Sequence, residues 1–275
     1  MTHLDLLVPP PEVEYHFEAA EQARDYVAAF ARAGIAARPR PWPEAGDAPA
    51  LALLAWGYHL RAAEWDALLG GWRADIPLFN PPALMRWNTR KIYLAELEAA
   101  GVPVVPTWYG DADGASVVAA FDRFATDTLV VKPQVSAGSH RTHRLRRGEP
   151  VPEQRDAMVQ PFLPAIGQEG ECSLFYVGGA LTHGVRKQPA GGDFRIQPQF
   201  GGTNSRWTPD DEARAVAAAT LAAVPGDPVY ARVDLVRRAD GRLALIEFEA
   251  IEPDLYVEHG EGVLDTLAAA VKARL

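Results

Sequence analysis

Residues 229–251 decide how the chain reads. Within them Arg232-Val-Asp234-Leu-Val and Leu245-Ile-Glu247-Phe-Glu249 have the alternation of strands, joined across Ala239-Asp240-Gly241-Arg242. Asp-Gly at a turn centre is a strong hairpin signal, because both positions tolerate positive φ. With Asp240 and Gly241 as a two-residue loop, Asp234 is expected opposite Glu247 and Arg232 opposite Glu249. Glu247 and Glu249 then share one face, and directly opposed Cβ atoms lie about 4.5 to 5.5 Å apart. Three carboxylates and one guanidinium converge. A register slip of one residue would scatter them, whereas a slip of two would keep the face.

Opposed like charges destabilise adjacent strands unless a cation lies between them. One reading is a solvated sheet face on which Arg232 pairs with Glu249. The apolar flanks favour the other, a central strand carrying a hard-cation site at Asp234, Glu247 and Glu249. All-oxygen donors with no His or Cys nearby suit Mg²⁺, with Mn²⁺ as the alternative, and Mg²⁺ usually binds substrate phosphates as well. Metal plus phosphate makes a nucleotide the expected cofactor.

Two upstream stretches offer places for it. Thr128-Leu-Val-Val-Lys132-Pro reads as a strand ending in a lysine, followed by the small-residue loop Ser136-Ala-Gly138-Ser139-His-Arg-Thr-His143, whose amides could wrap phosphates. Neither a Walker A motif nor GxGxxG accompanies it. His140 and His143 lack the further ligands that a metal pair requires. Met158-Val-Gln160-Pro-Phe162-Leu163-Pro164 reads as a strand running into an extended segment that can meet a heterocycle with its main chain, or serve as a plain linker.

Composition bounds the rest. At 275 residues, 48% hydrophobic and 23% charged, the chain has room for one large domain or two to three lobes. It lacks a run of ~20 apolar residues, and its first residues lack a basic signal-peptide start, so a cytoplasmic protein without membrane association is expected. Cys172 is the single cysteine and excludes an internal disulfide and a thiolate metal site. A net charge of -9 argues against nucleic acid as a partner, and the basic run Arg141 to Arg147 lacks interleaved aromatics. Any anionic ligand therefore needs a local basic pocket. Only four of the 27 basic residues are lysines, namely Lys91, Lys132, Lys187 and Lys272, so their placement carries information.

The layout is α+β with an α/β N-terminal lobe. Leu4–Val8 reads as a strand, Phe17–Ala31 as a helix and Leu51–Trp56 as a parallel strand covered on both sides. Asn88 is expected to cap a helix running to about Ala100, with a strand beginning at Val104-Val105. Strands follow at 128–132, 155–160, 171–177 and 181–187, with a hairpin turn at Gly178-Gly179. A loop spans Gly191 to Asn204, and a helix opens at Thr208-Pro-Asp-Asp-Glu and runs through Val224.

The ordered series of Lys91, Lys132 with its Gly/Ser loop, Val-Gln-Pro-Phe-Leu-Pro, Gly170-Glu171, Arg195 before Gly201-Gly202, Arg-Val-Asp and Glu-Phe-Glu resembles the ATP-grasp superfamily. The glutathione-synthetase-like ligases, a group that includes the cycloserine-forming cyclising ligase, are the most similar. The resemblance covers about residues 80–258. It implies an ATP-grasp fold that holds nucleotide between two α+β lobes, with an N-terminal and connector part (1–106), a central lobe (107–187) and a C-terminal lobe with the metal hairpin (188–275). It implies ATP and Mg²⁺ as cofactors, with Asp234, Glu247 and Glu249 as metal ligands and Lys91, Lys132, Ser136, Gly138 and Ser139 at the phosphates. Gln160, Phe162 and Leu163 would lie at adenine and Glu171 at the ribose. Arg195, Lys187, Gly201, Gly202 and Arg232 would serve phosphoryl transfer. Glutathione synthetase has Asn where this chain has Glu249, which adds a negative charge here.

The expected activity is ATP-dependent carboxylate–amine ligation, between two molecules or within one, through an acyl phosphate on an amino-acid-like small molecule. A small-molecule kinase and a non-catalytic nucleotide-binding protein remain open at this point. No side chain need become a covalent nucleophile, so the lack of a Ser-His-Asp arrangement is expected. His59, at an expected strand end, and His183, on the same strand face as Lys187, are candidate substrate contacts. Trp56, Trp65 and Trp87 shape either an acceptor pocket or the core. The resemblance also implies a homodimer.

Overall fold

A computed structural model describes every residue except Met1, residues 192–195 and residues 197–200, with Thr2 described by its backbone alone. The N-terminal part contains β1 (Thr2–Val8), α1 (His16–Arg32), β2 (Ile35–Pro41), β3 (Ala50–Leu51), α2 (Ala62–Gly70) and β4 (Leu78–Phe79). Its strands form a parallel sheet in the order β2-β1-β3-β4. One stripe of α1, with Ala19, Ala23, Tyr26, Ala29 and Phe30, is buried. The apolar run expected as a strand from Leu51 to Trp56 pairs only at Ala50–Leu51 and then turns, with the Ala55 N–H donating to the Ala52 carbonyl. Ala52 to Ala55 are buried in that turn, and an apolar run alone does not distinguish a buried turn from a buried strand.

The connector also departs from expectation. Two short helices, α3 (Pro82–Thr89) and α4 (Tyr93–Ala99), replace the single helix expected from Asn88. Asn88 lies inside α3, and Lys91 sits in the break between the two helices. Val104 makes only an isolated bridge with Leu245, so no strand begins there.

The central lobe comprises β5 (Trp108–Ala112), α5 (Gly114–Arg123), β6 (Thr128–Pro133), β7 (His143–Arg146) and β8 (Gln154–Pro161), an antiparallel sheet in the order β5-β8-β6-β7. Asp113 and Ser116 cap α5 reciprocally, so its buried face of Val117, Ala120 and Phe121 meets Leu129, Val131 and Val159 of the sheet.

The remaining elements are α6 (Ala165–Gln168), β9 (Glu171–Val177), β10 (Ala180–Gln188), β11 (Thr203–Trp207), α7 (Asp211–Ala223), β12 (Tyr230–Arg237), β13 (Leu243–Glu249) and α8 (Val263–Lys272). The sheet order β11-β10-β9-β12-β13 puts the hairpin β9–β10 in the C-terminal lobe. The expected division between residues 187 and 188 falls at the end of β10, within that sheet. Asn80 ties the N-terminal part to this sheet: its side chain donates to the carbonyls of Tyr230 (2.8 Å) and Ala250 (2.9 Å) and accepts from the Val229 N–H. No described helix is long and apolar enough to cross a membrane.

Candidate active site

The hairpin β12–β13 reaches the expected pairing by an unexpected route. Arg237 pairs with Leu243 and the Arg238 N–H donates to the Arg242 carbonyl, so the loop has three residues, with Gly241 at φ +81°. That is the geometry of a turn closed by a glycine bulge, not the two-residue turn expected from Asp-Gly. The longer loop shifts the register by one, which alone would scatter the acidic face. A β-bulge at Ile246 shifts it back, and Asp234 opposes Glu247 while Arg232 opposes Glu249. The bulge also lets Ile246 and Glu247 line the same cavity.

One oxygen from each of Asp234, Glu247 and Glu249 lies within 4.8 Å of the others. Every carboxylate of the three has a cationic partner. Arg232 donates to both Asp234 oxygens (Nε at 3.0 Å to each, one Nη at 2.9 Å) and to Glu249 (2.5 Å). Lys187 Nζ lies 2.5 Å from Glu171 and 3.3 Å from Asp234, and Lys91 lies 3.0 Å from Glu247. The Ser173 hydroxyl donates to Asp234 at 2.5 Å. Burial would raise the Asp234 carboxyl, but Arg232 and Lys187 hold it at about 2. Burial pushes Glu249 up to about 7 in spite of Arg232, while Lys91 and Lys132 hold Glu247 below its usual range against the same burial. Arg232 thus opposes a solvated sheet face: at 8% exposure it is an internal clamp on two of the acids.

These groups line one cavity of about 350 Å³ between the lobes. At one end Val105, Leu163, Ile166 and Ile246 form an apolar wall, with Gln160 beside it. In the middle lie the acids, Lys91, Lys132, Glu171 and Lys187, covered by Ser136, Gly138 and Ser139. Lys91 donates to the Ser136 carbonyl and, at 3.3 Å, to its hydroxyl, and its N–H donates to the Gln134 carbonyl, so the helix break fixes it from both sides. Gly138 and Ser139 have φ of +57° and +62°, which turns successive backbone units of the loop. Lys132 has no ion pair to a described residue, and burial lowers its ammonium from the usual lysine range. At the far end stand Tyr15, Trp56, Tyr58, His59, Glu252 and Tyr256.

Not every expected residue comes to the cavity. Phe162 is not among its lining residues: its N–H donates to the Thr128 carbonyl and Arg144 lies over its ring at 4.3 Å. His183 shares a face with Lys187 but is buried against Phe175, with rings stacked at 4.3 Å and Nε2 at 2.9 Å from the Leu255 carbonyl, away from the cavity. Gly201 and Gly202 do not line it, and Arg195 lies outside the described residues. Of the tryptophans, Trp65 is core, Trp87 packs on Tyr93, and Trp56 faces the cavity. His59 stands on a 3-10 turn, Tyr58–Arg61, not a strand end.

Sequence reasoning missed the braces behind the acids. The Asn88 side chain donates to the Phe248 carbonyl and accepts from the Ala250 N–H, both at 2.8 Å. Tyr93 Oη donates to the Phe248 carbonyl and accepts from its N–H. Both grip the residue between Glu247 and Glu249, and polar residues on the apolar faces of two helices were the available signal. Glu252 was missed as well. Burial, then Glu249, push its carboxyl well above the usual range.

No family model matches the sequence. A cycloserine biosynthesis protein of Streptomyces lavendulae, DcsG, is 32% identical over 251 residues, which cover 80% of this chain and 81% of that protein. The chain belongs to the ATP-grasp ligases. The crystal structure of the D-cycloserine synthetase DcsG superposes with a TM-score of 0.83 at 27% identity, covering 99% of both chains. The ATP-grasp ligase PsnB, in a complex with Mg and ADP, gives a TM-score of 0.66 at 14% identity over 100% of this chain and 99% of that one. As an ATP-grasp ligase the protein uses ATP and Mg²⁺ to form a C–N bond with release of ADP, which removes the kinase and non-catalytic alternatives. The donor set fits both cofactors: three converging carboxylates and no sulfur for a hard cation, and lysines with a glycine-bearing loop for phosphates.

Proposed function

We propose that this ligase activates the carboxylate of an amino-acid-like small molecule as an acyl phosphate and joins it to an amine of the same molecule. The observation that carries the residue assignment is the convergence of Asp234, Glu247 and Glu249 with Lys91, Lys132, Lys187 and Arg232 in one cavity. The likeness to a D-cycloserine synthetase supports ring closure over joining two molecules.

In this reading Asp234, Glu247 and Glu249 hold Mg²⁺, which when bound neutralises phosphate charge. The apolar wall of Leu163, Ile166 and Ile246 receives adenine, with Gln160 at its edge. Glu171 has two roles available to it, ribose binding and orientation of Lys187, and its 2.5 Å contact favours the second in this arrangement. Lys132, Lys91 and the loop of Ser136, Gly138 and Ser139 bind the phosphates. The substrate carboxylate attacks the γ-phosphorus and ADP leaves. The amine nitrogen then attacks the acyl carbon, the acyl–oxygen bond breaks, phosphate departs and the nitrogen loses a proton. Lys187 and Arg232 offset the negative charge that develops between the reactants. Arg195, Gly201 and Gly202 keep their expected place at the acyl phosphate as part of the proposal, and Phe162 and His183 are left out of it.

The division into lobes at the end of β8, a cytoplasmic location and a homodimer belong to the same reading. A screen of D- and L-amino-acid derivatives bearing a second amine-like nitrogen tests the reading, with ADP release and product mass as readouts. A product lighter than its single organic substrate by one water is expected. ADP release that always requires two organic substrates would contradict ring closure.

A further inference from the structure

The aromatic end of the cavity holds several polar side chains that the reading above leaves unused, and His59 is the one whose ring nitrogens have no partner among the described residues. His59 projects into the cavity from the turn Tyr58–Arg61, and both its ring nitrogens are buried without a hydrogen-bond partner among the described residues. Three rings fix its plane without using those nitrogens: His140 at 5.4 Å, Tyr58 at 6.0 Å and Tyr15 at 6.4 Å between centroids. Buried polar groups in native proteins are satisfied as a rule, so a ring held by tilted and edge-on ring contacts with two idle nitrogens is arranged for a partner from the cavity.

The surroundings determine what kind of partner fits. Burial first, then His140 and Lys91, hold the imidazole down to about 4, and no carboxylate pairs with it among the described residues. Tyr15 and Tyr58 are also pushed above the usual phenol range by burial, so the hydroxyls around it stay neutral. A neutral imidazole carries one N–H donor and one bare acceptor nitrogen. A carboxylate offers only acceptors and an ammonium only donors, while a hydroxyl or carboxamide offers both. Resting on the ligase reading, we infer that His59 is a specificity-determining residue that reads an uncharged donor–acceptor group, a hydroxyl or carboxamide, on the carboxylate substrate. The part of the cavity lined by His59 is thereby selective for polarity without charge. His140 comes from the loop proposed to cover the phosphates, so the same segment that meets the nucleotide also sets the orientation of this ring.

Glutamine, glutamate, homoleucine and ornithine form a series of similar length ending in an amide, a carboxylate, a branched alkyl and an ammonium, and both enantiomers serve as probes. Binding is measured by calorimetry with Mg²⁺ and a non-hydrolysable ATP analogue present. The wild-type protein is expected to bind glutamine at least about tenfold more tightly than the other three, since a site built to hydrogen-bond a polar group rejects analogues that lack it. His59→Leu should abolish that preference and His59→Gln, which keeps one donor and one acceptor, should retain it. Affinity for the ATP analogue should be equal in all three proteins. Normal analogue binding with no advantage for glutamine in the wild type, or a preference that survives in His59→Leu, overturns this inference alone. Absence of analogue binding in the wild type overturns the ligase reading and this inference together.

Discussion

The two ends of the cavity solve opposite problems. Around the hairpin β12–β13 each of the three converging acids has a cation within 3.0 Å, and the main chain between Glu247 and Glu249 is gripped by Asn88 and Tyr93. At the aromatic end, among the described residues, His59 has no polar partner on either nitrogen and the half-buried Glu252 has no ion pair. A preorganised end is what charge stabilisation requires, because donors already in place need no reorganisation during reaction. The unsatisfied end costs stability in the free protein and offers that deficit to a ligand. On the proposed reading the difference assigns chemistry to the charges fixed by the C-terminal sheet and selectivity to the vacant polarity of His59 in the N-terminal part.

The sharpest way to break this contrast is at Asp234. Asp234→Asn leaves Arg232 and Lys187 buried with half their counter-charge, so it should lower stability by roughly 3–5 kcal/mol in denaturant unfolding. It should also lower ligase turnover by about a thousandfold or more, as loss of a preorganised electrostatic group does. Lys132 gives the next largest effect. Its ammonium is desolvated without an ion pair to a described residue, so Lys132→Met should leave the melting temperature unchanged or raised while weakening ATP binding about ten- to hundredfold. A fall in melting temperature with unchanged ATP affinity would place Lys132 among the structural groups instead.

Two smaller effects sharpen the comparison from the other end. The His59 imidazole is at about 4 in the fold against an ordinary value near 6.5, so the unfolded chain binds a proton that the folded one refuses. Its contribution to stability is present above about pH 6.5 and is lost as pH falls towards 4. Acid unfolding curves for His59→Leu should be flatter over that window, and identical curves would show that the ring is protonated freely in the fold. The smallest effect belongs to Lys272, whose ammonium caps the Ala33 carbonyl at 2.7 Å, far from the cavity. Lys272→Met should change stability by no more than about 0.5 kcal/mol and leave ATP affinity alone.

Much of this was legible in the residues, though not always for the right local reason. The pairing of Asp234 with Glu247 follows from the alternation of both strands, yet the Asp-Gly loop is one residue longer than expected and only the bulge at Ile246 restores the face. Nothing in Leu245-Ile-Glu247 marks a bulge, because its cause is the demand that Ile246 reach the apolar wall while Leu245 stays in the core. The lysines were legible for a chemical reason: a chain that uses Arg almost everywhere keeps three of its four lysines at the cavity. The sheet to which β9 and β10 belong was not, since they follow the central lobe in sequence and meet the C-terminal strands through the pairing of β9 with β12 and of β10 with β11. Such long-range pairing leaves no local trace. Asn80 and Asn88 were invisible for the same reason, as their partners lie 149 to 170 residues away.

The central claim is that the cavity makes an acyl phosphate with charges supplied by β12 and β13. Hydroxylamine trapping during turnover, with the substrate found by the carboxylate screen and ATP present, tests it most directly. The account predicts a hydroxamate formed in step with ADP, dependent on Mg²⁺ and absent in Asp234→Asn and in Glu247→Gln. ADP formed together with a stable phosphorylated product and no hydroxamate, or trapping that survives both substitutions, would contradict it.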